Sequence, residues 1–231
     1  MKLISILALS LLLVCNQIYA KEVPVLKPTV SEPIDLSEAA LKKWEDAKKL
    51  LESGKEYEMM SKREKELYDS FDETIEGPWD LSEPCGFYCA GGPVPVKASS
   101  TLKSQGNSNY NLDNIEDLDI RTAWIEGKED YGVGESVEFT FDRKSITQII
   151  IYNGYQKSKE AWENNSRVKR LKLYTDKGLT AILEVQDTRG CQTFDIDIES
   201  SKYKFVIDDV YEGKKWKDTA ISEIDFYGPH H

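Results

Sequence analysis

Acidic and hydroxyl side chains are concentrated in one short stretch of the sequence, residues 114–124, which reads NIEDLDIRTAW. Asp117, Asp119 and Thr122 are spaced two and three residues apart, shortly before Trp124. Carboxylate, hydroxyl and backbone carbonyl oxygens are the ligands that a hard cation such as Ca²⁺ prefers. The same side chains can instead close a turn by bonding to the local backbone, without a metal. The spacing alone supports both interpretations.

Catalytic side chains are scarce in the rest of the chain. The two histidines are His230 and His231, at the C-terminal end, which excludes a histidine-based triad inside the fold. We find no Gly-x-Ser-x-Gly elbow, phosphate-binding loop or dinucleotide fingerprint. With 41 acidic residues, pairs of carboxylates will arise by chance. A glycoside hydrolase, which needs such a pair, is therefore only our third hypothesis.

The N-terminus has the pattern of a secretory signal. Lys2 precedes a largely apolar run from Leu3 to Val14, and a small-residue cleavage site follows at Ala20. We predict that residues 1–20 are a signal peptide and that the protein is secreted or periplasmic. A lipid anchor at Cys15 is the alternative. No later segment is long and apolar enough to cross a bilayer.

Charge and cysteine content narrow the classes of ligand and partner. A net charge of −11 argues against binding to nucleic acid, which requires a basic surface. An oxidising compartment favours a disulfide, and Cys85 and Cys89 enclose a loop short enough to be bridged. That pairing would leave Cys191 as the odd thiol, although the sequence does not fix the connectivity. A zinc site would lack a fourth ligand at suitable spacing.

An extended linker and a first helix are predicted before residue 55. Residues 21–35 contain three prolines among valines and charges, which is typical of a linker. Asp35 and Glu38 have the spacing of a capping box. Apolar residues then recur at helical intervals from Leu36 to Leu51, and Gly54 is a plausible stop.

A second helix is predicted from about Ser61 to Ile75. The two helices make residues 36–80 a helical region, followed by a Cys-, Gly- and Pro-rich connector at residues 81–93. Such a hairpin could pack on the next domain, or residues 36–76 could dock a protein partner.

From residue 94 onwards the hydrophobic period changes to two. Val137, Phe139 and Phe141 alternate with polar residues, and turn residues separate the apolar segments. This pattern predicts a mainly β fold, an antiparallel β-sandwich at residues 94–229 preceded by a small N-terminal helical hairpin. The other predicted strands lie near residues 149–152, 168–174, 194–198, 203–211 and 221–226.

Residues 114–124 resemble the Asn-Ala-x-Asp-Gly-(Asp/Asn)-x-x-Thr-x-Trp signature of coagulation factor 5/8 type C (discoidin) domains and of related galactose-binding-like, carbohydrate-binding modules. The closing motif of that family, a hydrophobic strand with an acid before a final glycine, is matched by ISEIDFYG at residues 221–228. The segments WIEG (124–127), NGYQK (153–157) and NSRVK (165–169) are similar to a bacterial subgroup. In that subgroup the domain accompanies secreted NAD-glycohydrolase toxins as a glycan-binding, translocation-type module.

The resemblance implies a jelly-roll sandwich with one structural Ca²⁺ near its rim, and it does not bring an enzyme with it. Leu118 departs from the family's glycine, and a left-handed backbone would be costly for leucine. We therefore expect this loop to differ from the family pattern. The ligands carried over from the family are the Asn114 carbonyl, the Asp117 and Asp119 carboxylates, Thr122, the Ser222 carbonyl and Glu223.

A sugar site needs aromatic faces for the ring and planar polar groups for its hydroxyls. Two loops, residues 153–167 and 211–218, are rich in both, although Tyr155 and Trp162 also fit a packing role. The candidate ligand-binding residues are Tyr131, Tyr155, Trp162, Asn164, Asn165, Arg167, Lys214, Trp216 and Asp218.

Our leading hypothesis is an exported, non-catalytic module that binds a carbohydrate of a cell surface. The alternative is an envelope-associated scaffold that docks a protein through the helical region and has no sugar site. Exposure discriminates between them. An exposed apolar stripe at Trp44, Leu51 and Phe71, with Trp162 and Trp216 buried, would favour the scaffold.

Overall fold

The computed structural model describes residues 22–72, 74–81, 95–106, 108–142 and 146–228. Three predictions fall outside these residues: the signal peptide at 1–20 with its Cys15 alternative, the bridge between Cys85 and Cys89, and nearly all of the connector at 81–93. Cys191 is described and is a free thiol.

The described residues form a mainly β fold with a small helical segment before it, which confirms the predicted class. The helices are α1 (Glu38–Glu52), α2 (Lys62–Asp69) and α3 (Lys159–Asn164), with 3₁₀ turns at Tyr57–Met59 and Leu112–Ile115. The strands are β1 (Val25–Leu26), β2 (Thr29–Val30), β3 (Val96–Ala98), β4 (Trp124–Ile125), β5 (Ser136–Thr140), β6 (Gln148–Asn153), β7 (Ser166–Thr175), β8 (Gly178–Glu184), β9 (Gln192–Asp195), β10 (Lys202–Tyr211) and β11 (Thr219–Tyr227).

The strands form two antiparallel runs that meet at one point. One run has the order β3-β5-β10-β7-β8, and the other has the order β2-β9-β6-β11 with β4 on the start of β11. The first residues of β11 and β7 pair in parallel, Thr219 with Ser166 and Ala220 with Arg167. This parallel pairing joins the two runs at a place where several loops lie close together.

The core lies between the two runs and is dominated by aromatic side chains. Phe226 of β11 contacts Phe139 of β5 at 4.9 Å and Phe141 at 4.8 Å between ring centroids, with the rings edge to face. β11 and β5 are not hydrogen-bonded neighbours, so these contacts cross the sandwich. Phe226 and Phe139 are fully buried, and burying each such ring stabilises the fold by about 1.5–3 kcal/mol.

Residues 25–30 lie within the predicted linker but pair with the sandwich. Val25 and Leu26 pair in parallel with Ile182 and Leu183 of β8, while Thr29 and Val30 pair with β9. These residues are extended, and they cover two strand edges whose backbone groups would otherwise be unpaired.

The helical hairpin follows the predicted pattern with shifted ends. α1 is capped by Ser37 rather than Asp35, and Asp35 instead accepts a hydrogen bond from the Ser37 amide at 2.9 Å. α2 begins after Ser61 in a complete capping box. It ends at Asp69 rather than near Ile75, because Asp72 closes a turn on the Thr74 amide at 2.9 Å.

The apolar face of the hairpin is packed against itself. The Trp44 ring lies 5.5 Å from Phe71 and 6.1 Å from Trp79 between centroids, and Ala47 of α1 is buried. Within the described part of the chain, no helix has the length and apolarity needed to cross a membrane.

Candidate functional site

The loop at residues 114–124 is anchored in the core at both ends. Ile115 and Trp124 are fully buried, and the Trp124 indole donates a hydrogen bond to the Ser100 carbonyl at 3.1 Å. The Asn114 side-chain amide donates to the Ala123 carbonyl at 3.0 Å. These contacts hold the two ends of the loop together, so its acidic residues are confined to a tight turn.

Asp117 and Thr122 close this turn from the inside. The Thr122 hydroxyl lies 2.8 Å from the Asp117 carboxylate, and the Asp119 amide donates to the same carboxylate at 3.0 Å. The Asn114 carbonyl lies 3.5 Å from the Thr122 hydroxyl. Three of the predicted metal-ligating residues, Asn114, Asp117 and Thr122, are therefore brought together. They form a hydrogen-bonded turn, which was the alternative to a metal site in the sequence analysis.

Glu223 reaches this turn from β11, more than a hundred residues later in the chain. Its side chain is fully buried, and one carboxylate oxygen accepts a hydrogen bond from the Leu118 amide at 3.2 Å. The other oxygen, Oε1, is buried without a hydrogen-bond partner. Burial, reinforced by the nearby charges of Asp117 and Asp225, raises the pKa of Glu223 well above its usual range.

Ser222 fastens the loop to β11 through its side chain. Its hydroxyl donates to the Thr122 carbonyl at 2.7 Å and accepts from the Gln156 amide at 3.0 Å. The Ser222 side chain thus connects three segments of chain, a role that its prediction as a carbonyl ligand did not include.

Asp119 has a different partner from the one expected. Its carboxylate accepts hydrogen bonds from the Arg121 guanidinium at 2.8 and 3.1 Å. Arg121 in turn stacks on the Trp79 ring at 3.7 Å to the centroid. The carboxylate predicted as a metal ligand is therefore already neutralised by a neighbour two residues away.

Leu118 corrects the expectation that the loop would depart from the family pattern. Its φ is 62°, the left-handed conformation that glycine usually supplies, and it is the sole non-glycine residue with a positive φ in the described segments. The loop thus keeps the glycine-like turn with a leucine in place.

The oxygens of the 114–124 turn and of Glu223 fit Ca²⁺ better than any metal that requires several strong side-chain ligands. No three acidic, histidine or cysteine side chains of the described residues converge in a metal-holding geometry. A cation here would depend on the Asp117 and Glu223 carboxylates together with hydroxyl and carbonyl oxygens, which suit Ca²⁺. The unpartnered Glu223 Oε1 is the atom that such a cation would satisfy.

A separate cleft of about 480 Å³ lies where the loop before β7 and the loop before β11 meet residues 102–110. Tyr155 packs edge to face on Tyr110 at 6.4 Å between centroids, while Trp216 is 48% exposed. The polar and aromatic residues that line the cleft are Gln105, Tyr110, Tyr155, Lys157, Ser158, Glu160, Asn164, Asn165, Trp216 and Asp218.

The wall of the cleft is built by close contact between two loops. The amides of Lys215 and Trp216 donate to the Asn164 carbonyl at 3.1 and 2.8 Å, and the Lys214 amide donates to Glu163 at 2.9 Å. A Cβ on Gly213 would lie 2.5 Å from the Asn164 carbonyl oxygen. Glycine is therefore needed here for the two backbones to approach.

A protein-family model for the NAD glycohydrolase translocation F5/8 type C domain matches residues 87–227. The chain belongs to this family. The matched residues include the whole sandwich from β3 to β11, both loops of the cleft and the 114–124 turn that Glu223 contacts. The helical region at residues 36–80 precedes the family domain. A search of curated proteins found no match.

Several solved structures are similar to this F5/8 type C domain at low identity. The CBM32-1 and CBM32-2 domains of ZmpB from Clostridium perfringens align with a TM-score of 0.46 and 18% identity, over 60% of this chain and 35% of that one. The family 32 CBM of C. perfringens NanJ, solved in complex with galactose, gives 0.44 and 16%, over 59% and 98%. The mycobacterial arabinofuranosyltransferase AftD gives 0.45 and 19%, over 60% and 11%. This chain thus spans about a third of the ZmpB structure.

The family domain uses two of the predicted sugar-binding residues for packing. Arg167 is 7% exposed and stacks on Trp162 at 4.4 Å to the ring centroid. Arg167 also pairs with Asp187 at 2.7 Å, and the Trp162 indole donates to the Asn153 carbonyl at 2.9 Å. Both side chains brace the loop from behind and do not line the cleft.

Lys214 and Tyr131 also lie outside the lining of the cleft. Lys214 pairs with Glu163 at 2.6 Å, which helps to hold the two loops together. The Tyr131 ring lies 5.7 Å from the Lys217 ammonium, on another part of the rim.

Of the nine predicted residues, the cleft brings together Tyr155, Asn164, Asn165, Trp216 and Asp218. The Asn165 side chain is already bonded to the Ala161 carbonyl at 2.9 Å. Among the polar and aromatic lining residues, sequence reasoning missed Gln105, Tyr110, Lys157, Ser158 and Glu160. Lys157 and Glu160 lie inside a loop that was singled out, whereas Tyr110 carried no signal because it comes from a distant segment.

Proposed function

We propose that this chain is an exported, non-catalytic module that binds a cell-surface glycan in the cleft between residues 153–165 and 212–218. The observation that carries the proposal is the lining of that cleft. An exposed indole, a tyrosine pair and side-chain amides meet in one depression of a size suited to a sugar. Family membership adds support, because the match is to a translocation-type F5/8 type C domain.

The lining supplies the two kinds of contact that sugars need. The exposed face of Trp216 offers an apolar platform for the carbon-bound hydrogens of a ring. The Asn164 side chain lines the cleft, and its amide offers both donors and an acceptor to hydroxyl groups.

Exposure favours this function over the protein-docking scaffold. Trp216 is open to solvent, whereas Trp44 is covered by Phe71 and Trp79. Leu51 and Phe71 are half-buried and line an open pocket on the hairpin, so the preference rests on the exposure of Trp216 and the covering of Trp44.

The second part of the proposal is a structural Ca²⁺ between the 114–124 turn and Glu223. A cation held by Asp117 and Glu223 would satisfy the buried Glu223 Oε1 and offset the repulsion between the two carboxylates. It would also tie the start of the sandwich to its last strand, because the two residues are far apart in sequence.

Glycan-array screening of the full chain tests the binding proposal, followed by calorimetry with the best ligand. We expect Trp216→Ala to weaken binding by about five- to 150-fold, because an aromatic platform contributes about 1–3 kcal/mol. Tyr68→Ala is the matched control, since it removes another exposed ring from the hairpin. Equal affinity of the two variants, or an array without any ligand, would exclude the cleft as a glycan site.

The same ligand also tests hydrolysis. Glu160 and Asp218 both line the cleft, so a pair of carboxylates is present. We expect no release of reducing sugar from the bound glycan. Release that is lost in both Glu160→Gln and Asp218→Asn would instead identify a glycosidase.

A further inference from the structure

A short segment outside the family domain pairs with the loop at residues 114–124. The Leu81 amide donates to the Leu118 carbonyl at 2.8 Å, and the Ile120 amide donates to the Trp79 carbonyl at 3.2 Å. Asp80 and Asp119 form an isolated antiparallel bridge. The family match begins at residue 87, so residues 79–81, at the junction of the helical region and the connector, lie outside the domain whose loop they contact.

The pairing holds Leu118 at the point where its backbone is strained. The Leu118 amide is bound to Glu223 at 3.2 Å on one side, and its carbonyl is bound to Leu81 at 2.8 Å on the other. Its φ of 62° disfavours any residue with a Cβ. A left-handed leucine persists where surrounding contacts over-determine it, and here both polar groups of its backbone have fixed partners.

Side chains extend this contact into the hairpin. Arg121, next to the strained turn, stacks on Trp79 at 3.7 Å and neutralises Asp119. Trp79 lies 6.1 Å from Trp44 of α1 between ring centroids. A continuous path of packed groups therefore runs from α1 through Trp79 to the loop.

We propose that residues 79–81 are positioning residues that clamp the 118–121 turn in its left-handed conformation and thereby couple the helical hairpin to the Glu223 site. The helical hairpin then helps to set the conformation of a sandwich loop and is not an independent appendage. Leucine at position 118 makes the turn depend on the clamp, whereas glycine would adopt the same conformation without it.

The coupling has a consequence for Ca²⁺, and this consequence rests on the proposed cation site. Asp117 and Glu223 flank Leu118, so fixing Leu118 also fixes the distance between the two carboxylates. A clamped turn would bind Ca²⁺ more tightly, and bound Ca²⁺ would in return protect the hairpin contact.

A double-mutant cycle on the full chain tests the clamp, with Trp79→Ala and Leu118→Gly singly and together. The readout is amide hydrogen exchange of residues 114–124, measured first in chelator and then in Ca²⁺. In chelator we expect Trp79→Ala to accelerate exchange about five- to thirtyfold, the range to which a left-handed non-glycine cost of ~1–2 kcal/mol converts. In the Leu118→Gly background the same change should accelerate exchange by no more than about twofold, the scatter of uncoupled sites.

Tyr68→Ala, which alters the hairpin away from the turn, is the control and should leave exchange in the loop unchanged. If Trp79→Ala loses its helical circular dichroism, Trp79→Phe replaces it in the cycle, because phenylalanine keeps an apolar ring against Trp44. Equal acceleration by the Trp79 change in both backgrounds, or none in either, would overturn the clamp.

The measurement in Ca²⁺ separates the proposed cation site from the proposed clamp. If the wild type gains no protection from Ca²⁺, the cation site fails, and the cycle in chelator still decides the clamp. If Ca²⁺ protects the wild type and the clamp is correct, Trp79→Ala should weaken the Ca²⁺ affinity by the same five- to thirtyfold, about 1–2 kcal/mol. An unchanged Ca²⁺ affinity would contradict the coupling.

Discussion

Gly213 provides a test of how the cleft is built. A Cβ at this position would lie 2.5 Å from the Asn164 carbonyl oxygen and 2.6 Å from the Trp216 carbonyl oxygen. Both neighbours are backbone atoms, which cannot turn away as a flexible side chain could. Gly213→Ala should therefore push the two loops of the cleft apart by roughly 1 Å, the distance needed to restore ordinary contact.

The size of the effect follows from the hydrogen bonds between these loops. Separation of roughly 1 Å would break the bonds from the Lys214, Lys215 and Trp216 amides, now 2.8–3.1 Å long. Each contributes about 1 kcal/mol net, so we expect a loss of about 2–3 kcal/mol in the free energy of unfolding. For a protein of this size that loss lowers the thermal midpoint by about 4–12 °C. Glycan binding should be lost with it, because Trp216 and Asn164 would no longer face one cleft.

Gly178→Ala is the matched control. Gly178 has a φ of +90°, but a Cβ there would meet no atom within 4 Å. This change should lower stability by about 1 kcal/mol through backbone strain alone and leave glycan affinity unchanged. Differential scanning fluorimetry and calorimetry measure the two effects. If Gly213→Ala kept wild-type stability and affinity, the close approach of the two loops would not define the cleft.

Three further changes test other parts of the structure. A chelator should lower the thermal midpoint of the wild type and leave that of Asp117→Asn unchanged, whereas an equal response of both would remove the cation site. Arg167→Ala should lower the free energy of unfolding by about 2–4 kcal/mol, since it removes the hydrogen bonds of the guanidinium to Asp187 and to the Asn165 carbonyl together with its stacking on Trp162; denaturant titration showing under ~1 kcal/mol would refute this brace. The ion pairs of Asp208 with Lys172 and Arg170 lower the pKa of Asp208 below its ordinary 3.8. The stabilising effect of the Asp208 carboxylate is therefore present above pH 3.8 and lost as the pH falls through the lower folded-state pKa. The difference in thermal midpoint between wild type and Asp208→Asn should accordingly vanish in acid. A difference that stays constant with pH would contradict this role of Asp208.

Most long strands of the sandwich could be predicted from sequence, and β8 was missed. β5, β6, β7 and β10 bury every second residue over most of their length, while β11, matched through its closing motif, is buried along nearly all of its length. In β8, Leu179 and Ile182 point outward while Ala181 and Leu183 are buried. Apolar residues on both faces blur the period of two, so no strand was predicted there. α3 is too short to show a helical period.

Tertiary partners explain the missed features of the sites. Trp162 and Arg167 have the composition of a sugar site, but Asp187, twenty positions beyond Arg167, makes them a packed brace. Leu118 was expected to alter its loop, because the cost of a left-handed leucine is local whereas the contacts that offset it come from Leu81 and Glu223. Sequence patterns report local preference and cannot report partners that only the fold brings near.

The most direct test of the central claim is an NMR titration of the ¹⁵N-labelled full chain with the best glycan from the array, in the presence of Ca²⁺. We expect chemical-shift changes centred on Tyr155, Asn164 and Trp216, including the Trp216 indole, with smaller changes at Tyr110. Saturable changes confined to another surface, such as the helical hairpin, would contradict it, as would a spectrum that no glycan alters.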